Sequence, residues 1–266
     1  MLLTLSAFSY RTKLGTNREG MSIFDLPQFV RAELGLAGIV VPTSYLAGWD
    51  EHKVDKLRDA ADKAACPILM LHEDQPVALA SSDESIAERA VMRIERVVRV
   101  AHRLGCSGVA LTIDESGGAG GAGGVETAAA RLKHIIGRVE RLEMNLLVAP
   151  GSGATALPEQ LTTLIRKVGG FRIGSFPDLL TASTMSDTKG YLRGLVPYAN
   201  AISVSFNVLN GKKDSGEAAL KEMVESIAAI GYEGNMMLEF RGAGEPEPSI
   251  LAARDIIQSI SQEPTE

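Results

Sequence analysis

Cysteine is nearly absent from this chain: Cys66 and Cys106 are the two in 266 residues. Two cysteines cannot build a disulfide framework or a cysteine-rich metal centre. Each stands just before an apolar run, "CPILML" and "CSGVALTI", and reads as a small buried side chain at a strand entrance. An excess of positive charge is also missing. Lys and Arg number 27 against 33 Asp and Glu, a net charge of -6. This balance argues against a sequence-independent grip on nucleic acid or on an anionic membrane surface. Long hydrophobic runs are lacking too, and none reaches the roughly 18 residues of a membrane span. The opening "MLLTLSAFSYRTK" carries no basic residue before its apolar part, so it reads as a first strand rather than a signal peptide. These absences together predict a cytoplasmic protein.

What is present is a regular alternation. Eight short apolar runs, about as long as strands, are separated by longer amphipathic segments. They are Leu2–Phe8, Gly38–Pro42, Pro67–His72, Gly108–Ile113, Asn145–Ala149, Phe171–Phe176, Ala201–Phe206 and Asn235–Phe240. Between them, apolar residues fall at steps of three and four. Examples are Val54, Leu57, Ala61 and Ala64; Ile86, Ala90, Ile94, Val97, Ala101 and Leu104; and Leu220, Met223, Ile227 and Ile230. Such stripes would pack helices onto a sheet and leave charged faces in water. Asp25 with Gln28, Ser81 with Glu84 and Asp214 with Glu217 have capping-box spacing. Pro158 suits a first helical turn, and Gly35, Gly105 and Gly231 suit left-handed helix ends. The segment "LLTASTMSDTKGYLRGLVPYA" is less regular, being interrupted by Gly190 and Gly194. Eight strand–helix units in this length predict α/β architecture, a single (β/α)8 TIM barrel over residues 1–266. No linker divides it.

In such a barrel the C-terminal strand ends and the loops after them form the face where active sites are built. The third strand end supplies His72, Glu73 and Asp74, and the fourth Asp114 and Glu115. Asp178 lies beyond the sixth, and Glu239 ends the eighth with Arg241 two residues on. A carboxylate is costly inside a barrel but useful at its mouth, where a metal or polar substrate can satisfy it. Trp49 and Tyr45, after the second strand, either line the mouth and stack on a ligand or plug the barrel edge.

The stretches "LSAFSYRTKLG", "ELGLAGIVV", "AHRLGCSGVALT", "IGSFPDLL" and "GYEGNMMLEFRG" resemble the xylose isomerase-like TIM-barrel family. The resemblance runs from the first strand to the eighth helix. It implies a sugar or sugar-phosphate isomerase/epimerase-like protein acting on a small carbohydrate, with Mn²⁺ or Mg²⁺ held by carboxylates at the strand ends. It also implies two glutamates, on strands five and eight, that exchange protons with the substrate. Matched residue by residue, the family's strand-eight glutamate falls on Glu239, its strand-six aspartate on Asp178 and its strand-three histidine on His72. The resemblance thus makes Asp178 and Glu239 metal ligands, with Asp114 or Glu115 as possible additions, and Glu239 and His72 the catalytic pair. Arg241, Trp49 and Glu115 are the expected substrate contacts.

Elsewhere the pattern breaks. Ala149 stands on the strand-five glutamate, while Ser203 and Ser205 stand on the strand-seven histidine and lysine. Without the strand-five carboxylate the two-glutamate mechanism cannot run as the family uses it. A second reading is therefore a catalytically inactive barrel serving as a carbohydrate-binding or assembly subunit. The related metal-dependent AP endonucleases are excluded, because four histidines, three of them in apparent helices, cannot furnish their histidine-rich sites. A homo-oligomer is allowed but not required.

Other motifs carry less. Gly118, Gly120 and Gly123 match a dinucleotide fingerprint by composition, but the loose Gly/Ala tract better suits a mobile lid. "APGSGA" after strand five has backbone N–H groups suited to a phosphate, with Lys212 and Lys213 as more distant positive charges.

Overall fold

β-Branched and leucine side chains pack well on a pleated surface, and runs apolar on both faces suit a parallel sheet covered by helices. In a computed structural model of the chain, which describes residues 1–14, 20–114, 122–151, 155–209 and 215–262, all eight runs form parallel strands. They are β1 (Leu2–Ser6), β2 (Ile39–Pro42), β3 (Ile68–Val77), β4 (Gly108–Ile113), β5 (Asn145–Ala149), β6 (Ile173–Ser175), β7 (Ala201–Phe206) and β8 (Asn235–Phe240). The hydrogen-bonded ladder runs β6-β5-β4-β3-β2-β1-β8-β7. Two isolated parallel bridges, Ser175–Ala199 and Asp178–Ser203, close the remaining seam. There the Ser203 N–H donates to the Pro177 carbonyl at 2.8 Å. The result is a (β/α)8 TIM barrel.

The helices alternate with the strands. They are α1 (Leu26–Phe29, running on as a π turn over Val30–Leu34), α2 (Glu51–Lys63), α3 (Glu84–Leu104), α4 (Ala122–Arg141), α5 (Pro158–Val168), α6 (Leu179–Thr184), α7 (Thr188–Leu195), α8 (Ser215–Ala229) and α9 (Glu247–Gln262). Their inner stripes meet the outside of the sheet, where Leu57, Ile94, Leu132 and Leu164 are wholly buried. Burying one such side chain contributes roughly 1.5–3 kcal/mol. Ile86 is exposed and Ala87 takes its place on the buried face of α3.

Several local expectations need correction. Asp25 makes no capping bond at α1. At α3 the cap is Asp83, whose carboxylate accepts the N–H groups of Ser85 and Ile86, while Ser81 Oγ accepts the N–H of Asp83. Asp214 lies outside the described residues. β6 begins at Ile173, leaving Phe171 fully exposed. The stretch with two glycines forms α6 and α7, and Gly190 and Gly194 both lie within α7. Cys66 and Cys106 are buried at the entrances of β3 and β4, and burial pushes the Cys66 thiol up to about 11.

A second, smaller apolar cluster fills the barrel itself. It contains Val40, Met70, Ala110, Leu147, Phe176, Ala201 and Met237, with Ala149 packed against it. Residues from β2, β3, β4, β5, β7 and β8 contribute, with Phe176 just past β6, so side chains fill the interior beneath the C-terminal strand ends.

Candidate active site at the barrel mouth

Successive side chains on a strand point to opposite faces, so the interior cluster fixes which residues enter the mouth. Met237 and Met70 are interior. Glu239 and His72, two positions further along β8 and β3, therefore share that side. Glu73, one position off, faces the opposite way. It is 2% exposed and pairs with Arg93 of α3, Nε to Oε2 at 2.9 Å and Nη2 to Oε1 at 2.6 Å. Glu73 thus fastens the wall to its helix and takes no part in the mouth.

Glu239 is 4% exposed. Its Oε2 accepts the Ser6 hydroxyl at 2.7 Å, and its Oε1 accepts the Arg241 Nε–H at 2.7 Å. Asp178 is the N-cap of α6, where Oδ1 accepts the Thr181 N–H at 2.8 Å and the Thr181 hydroxyl at 3.0 Å. Its Oδ2 accepts the Ser203 hydroxyl at 2.8 Å and the Ser205 hydroxyl, with Arg241 Nη2 at 3.4 Å. One guanidinium therefore touches both carboxylates. Asp178 is saturated, whereas Glu239 keeps acceptor capacity.

The backbone that carries Arg241 is clamped from the first loop. Arg11 donates from Nη1 to the Phe240 carbonyl at 2.9 Å and from Nη2 to the carbonyls of Arg241 at 3.0 Å and Gly242 at 2.7 Å. Its guanidinium also lies over the Phe8 ring, 4.6 Å from the centroid. The Phe240 N–H donates to Ser9 Oγ at 2.9 Å. Ser6, Ser9 and Arg11 are absent from the sequence candidates. The available signal was their position at and just after the end of β1, beside β8 in the closed barrel.

His72 meets the Phe176 ring edge-on, with centroids 5.7 Å apart. Burial holds its imidazole below the ordinary histidine range against the attraction of Glu239 and Asp74. Asp74 is raised by burial but drawn further down by hydrogen bonds from Ser44 and Thr43, so it lies below the usual carboxylate range. Those bonds run from Ser44 Oγ at 2.6 Å, Ser44 N at 3.1 Å and Thr43 Oγ1 at 3.2 Å. They pin the loop after β2 to β3. His72, Asp74, Gln75, Glu239 and Arg241 line a cavity of about 410 Å³, together with Phe8, Arg11 and Pro42.

Trp49 is not in this cavity. Gly48, at φ +75°, turns the chain in the left-handed region that favours glycine. Trp49 then stacks on Phe24 at 5.5 Å and lines a separate cavity of about 660 Å³ between α2 and α3. Tyr45 remains within reach of the mouth's charges, and burial raises its phenol. Asp114 follows β4, and its N–H donates to the Val77 carbonyl at 2.8 Å. Glu115 lies outside the described residues, as do Gly118, Gly120, Ser152–Ala154, Lys212 and Lys213. Lys13 pairs with Glu245 and Glu247 outside the cup.

A model of the xylose isomerase-like TIM barrel matches residues 30–260. The chain belongs to that family. Solved structures agree in fold. An L-ribulose 3-epimerase superposes with TM-score 0.79 at 14% identity, covering 99% of this chain and 97% of that one. D-psicose 3-epimerase, solved in the presence of D-fructose, gives 0.75 at 15% identity, covering 98% and 97%. The apo 3-keto-D-glucoside 4-epimerase of E. coli gives 0.76 at 11% identity, covering 98% and 99%. At such identities the likeness shows the fold. No curated protein matches the chain.

The divalent cation that the family resemblance implies can be tested against this donor set. Mn²⁺ or Mg²⁺ takes about six oxygen ligands in near-octahedral array. Among the described residues no group of three or more His, Cys, Asp and Glu is placed to hold a metal ion. Ala149 sits on the inner side of β5 with no ligand atom in its side chain. Asp178 and Glu239 do come together as expected, but an arginine already spans them. The described residues do not fit the cation.

Proposed function

We propose that this chain binds a small open-chain sugar in the C-terminal cup and moves a proton between two of its carbons. Glu239 is the base. Of the two carboxylates held by Arg241, it alone has spare acceptor capacity, and it lines the cavity with His72 and Arg241. That arrangement carries the reading. Glu239 takes the proton from the carbon beside the carbonyl. His72, kept neutral by burial, presents an imidazole N–H to the oxygen that gains charge.

The substitution at β5 narrows the reaction. One carboxylate can lift a proton from one carbon and return it to the adjacent carbon on the same face, while His72 gives a proton to the carbonyl oxygen and takes one back from the neighbouring hydroxyl. Together these transfers interconvert an aldose and a ketose. Inversion at a single carbon needs a second donor on the opposite face. The family resemblance assigns that role to the position occupied by Ala149. Aldose–ketose isomerisation is therefore the favoured chemistry over epimerisation.

The test is a panel of pentoses and hexoses, read by thermal unfolding and by deuterium uptake at the carbon next to the carbonyl in D₂O. A stabilising sugar should exchange in the wild type, and Glu239→Gln should cut exchange about 10²–10⁴-fold while retaining stabilisation. Absence of stabilisation by any sugar sinks the proposal. Stabilisation without exchange supports the second reading, a carbohydrate-binding barrel without turnover, which the saturated Asp178 and Ala149 favour.

A further inference from the structure

The carboxylates expected to hold a divalent cation hold a guanidinium instead. We infer that Arg241 is this chain's resident cation, standing where the family resemblance places a metal ion and polarising the ligand oxygen in its stead. The carbohydrate reading enters only in naming that oxygen as a sugar carbonyl.

Three observations converge. Arg241 Nε donates to Glu239 Oε1 at 2.7 Å while Nη2 reaches Asp178 Oδ2 at 3.4 Å, so the positive charge lies between the two acids. The strand-seven positions where the resemblance calls for histidine and lysine are Ser203 and Ser205, and both hydroxyls donate to Asp178 Oδ2. They supply protons to the carboxylate where a metal site would supply lone pairs to a cation. Finally, the strand-five carboxylate is Ala149, which lowers the negative charge of the cup by one. A divalent ion would face two carboxylates already paired to an arginine, a set whose net negative charge is a single unit.

The guanidinium is also positioned to act. A guanidinium carries five N–H groups in a rigid fork. Nε and Nη2 are engaged, and Nη1 makes no hydrogen bond among the described residues. The side chain is 37% exposed and lines the cavity with Glu239 and His72. Arg11 fixes the Arg241 carbonyl, so the fork is held before ligand arrives. A preorganised positive charge aimed at a developing oxyanion is the electrostatic part of what a Lewis-acid metal provides.

Metal titration decides this without reference to turnover. Wild-type protein, treated with EDTA and dialysed, is titrated with MnCl₂ by calorimetry, with thermal unfolding recorded in parallel. The expected result is no binding heat and an unchanged melting temperature. The variant Arg241→Gln/Ala149→Glu, which removes the guanidinium and restores the third carboxylate, should gain an EDTA-reversible rise of roughly 5 °C or more at saturating Mn²⁺. Stoichiometric Mn²⁺ binding by the wild type overturns the inference, and that arm needs no variant to fold. A folded double variant indifferent to Mn²⁺ also overturns it. Failure of every sugar to stabilise the protein would instead sink the carbohydrate reading and leave the metal result standing.

Discussion

Glu239 and Arg241, two residues apart where β8 leaves the barrel, are joined by an Nε–H to Oε1 hydrogen bond of 2.7 Å. Residues i and i+2 of a strand share a face, so a strand that turns its glutamate into the cup turns this arginine in as well. The pair is local in sequence, but its purpose is long-range, because the same arginine reaches Asp178 across the seam between β6 and β7.

The first prediction is a thermodynamic coupling between the two. Removing one partner of a buried ion pair costs about 3–5 kcal/mol. The Arg241 side chain is 37% exposed, so solvent screening reduces the coupling to about 1–2 kcal/mol. A cycle of Arg241→Ala, Glu239→Gln and the double variant, measured by urea unfolding, should return that value. Strict additivity would show that the contact contributes nothing to stability.

The second prediction concerns pH. Burial lowers the proton affinity of His72, with Glu239 and Asp74 opposing it. Around the ordinary histidine value of about 6.5 the unfolded chain therefore holds more protons at this position than the folded one. The stability associated with neutral His72 is complete above that value and declines as pH falls below it. Asp74 is also lowered, but its contribution is present above the ordinary aspartate value of about 3.9 and is lost only in stronger acid. The windows separate, so His72→Gln should flatten the stability profile between about pH 7 and pH 5 and leave the acid limb in place. An unchanged slope in the upper window contradicts the assignment.

The barrel was legible because its physics is repetitive. Six of the eight strands start or end where the apolar runs do, and Gly35 and Gly105 cap helices in left-handed conformations of φ 64° and 80°. Period-two alternation also separates His72 from Glu73 once the face of one neighbour is known, and that face is set by tertiary packing. What the sequence conceals is closure. Ser6 and Arg11 are more than two hundred residues from Glu239, and only the pairing of β1 with β8 makes them its neighbours. Trp49 failed as a mouth residue for a local reason, the left-handed turn at Gly48, which a glycine permits without announcing. Asp178 is both a helix cap and an anchor for Arg241, so neither meaning alone describes it.

The third prediction tests the clamp that connects these distant parts. Arg11 donates to three consecutive carbonyls, those of Phe240, Arg241 and Gly242, from a guanidinium stacked on Phe8. A lysine retains the charge but is a point donor without a planar fork, so it cannot span the three acceptors. Arg11→Lys should lose roughly 1–3 kcal/mol of stability, at about 1 kcal/mol for each hydrogen bond not remade. Charge at the mouth is unchanged by that variant, so any loss of sugar affinity beyond the loss of folded protein reports misplacement of Arg241. The decisive comparison is Arg11→Lys against Arg241→Lys in sugar titrations of folded protein. If the clamp positions the guanidinium, both variants weaken binding, and Arg11→Lys does so although its own N–H groups face backbone carbonyls rather than ligand. Unaltered affinity in Arg11→Lys would mean that β8 and Ser9 hold Arg241 in place by themselves.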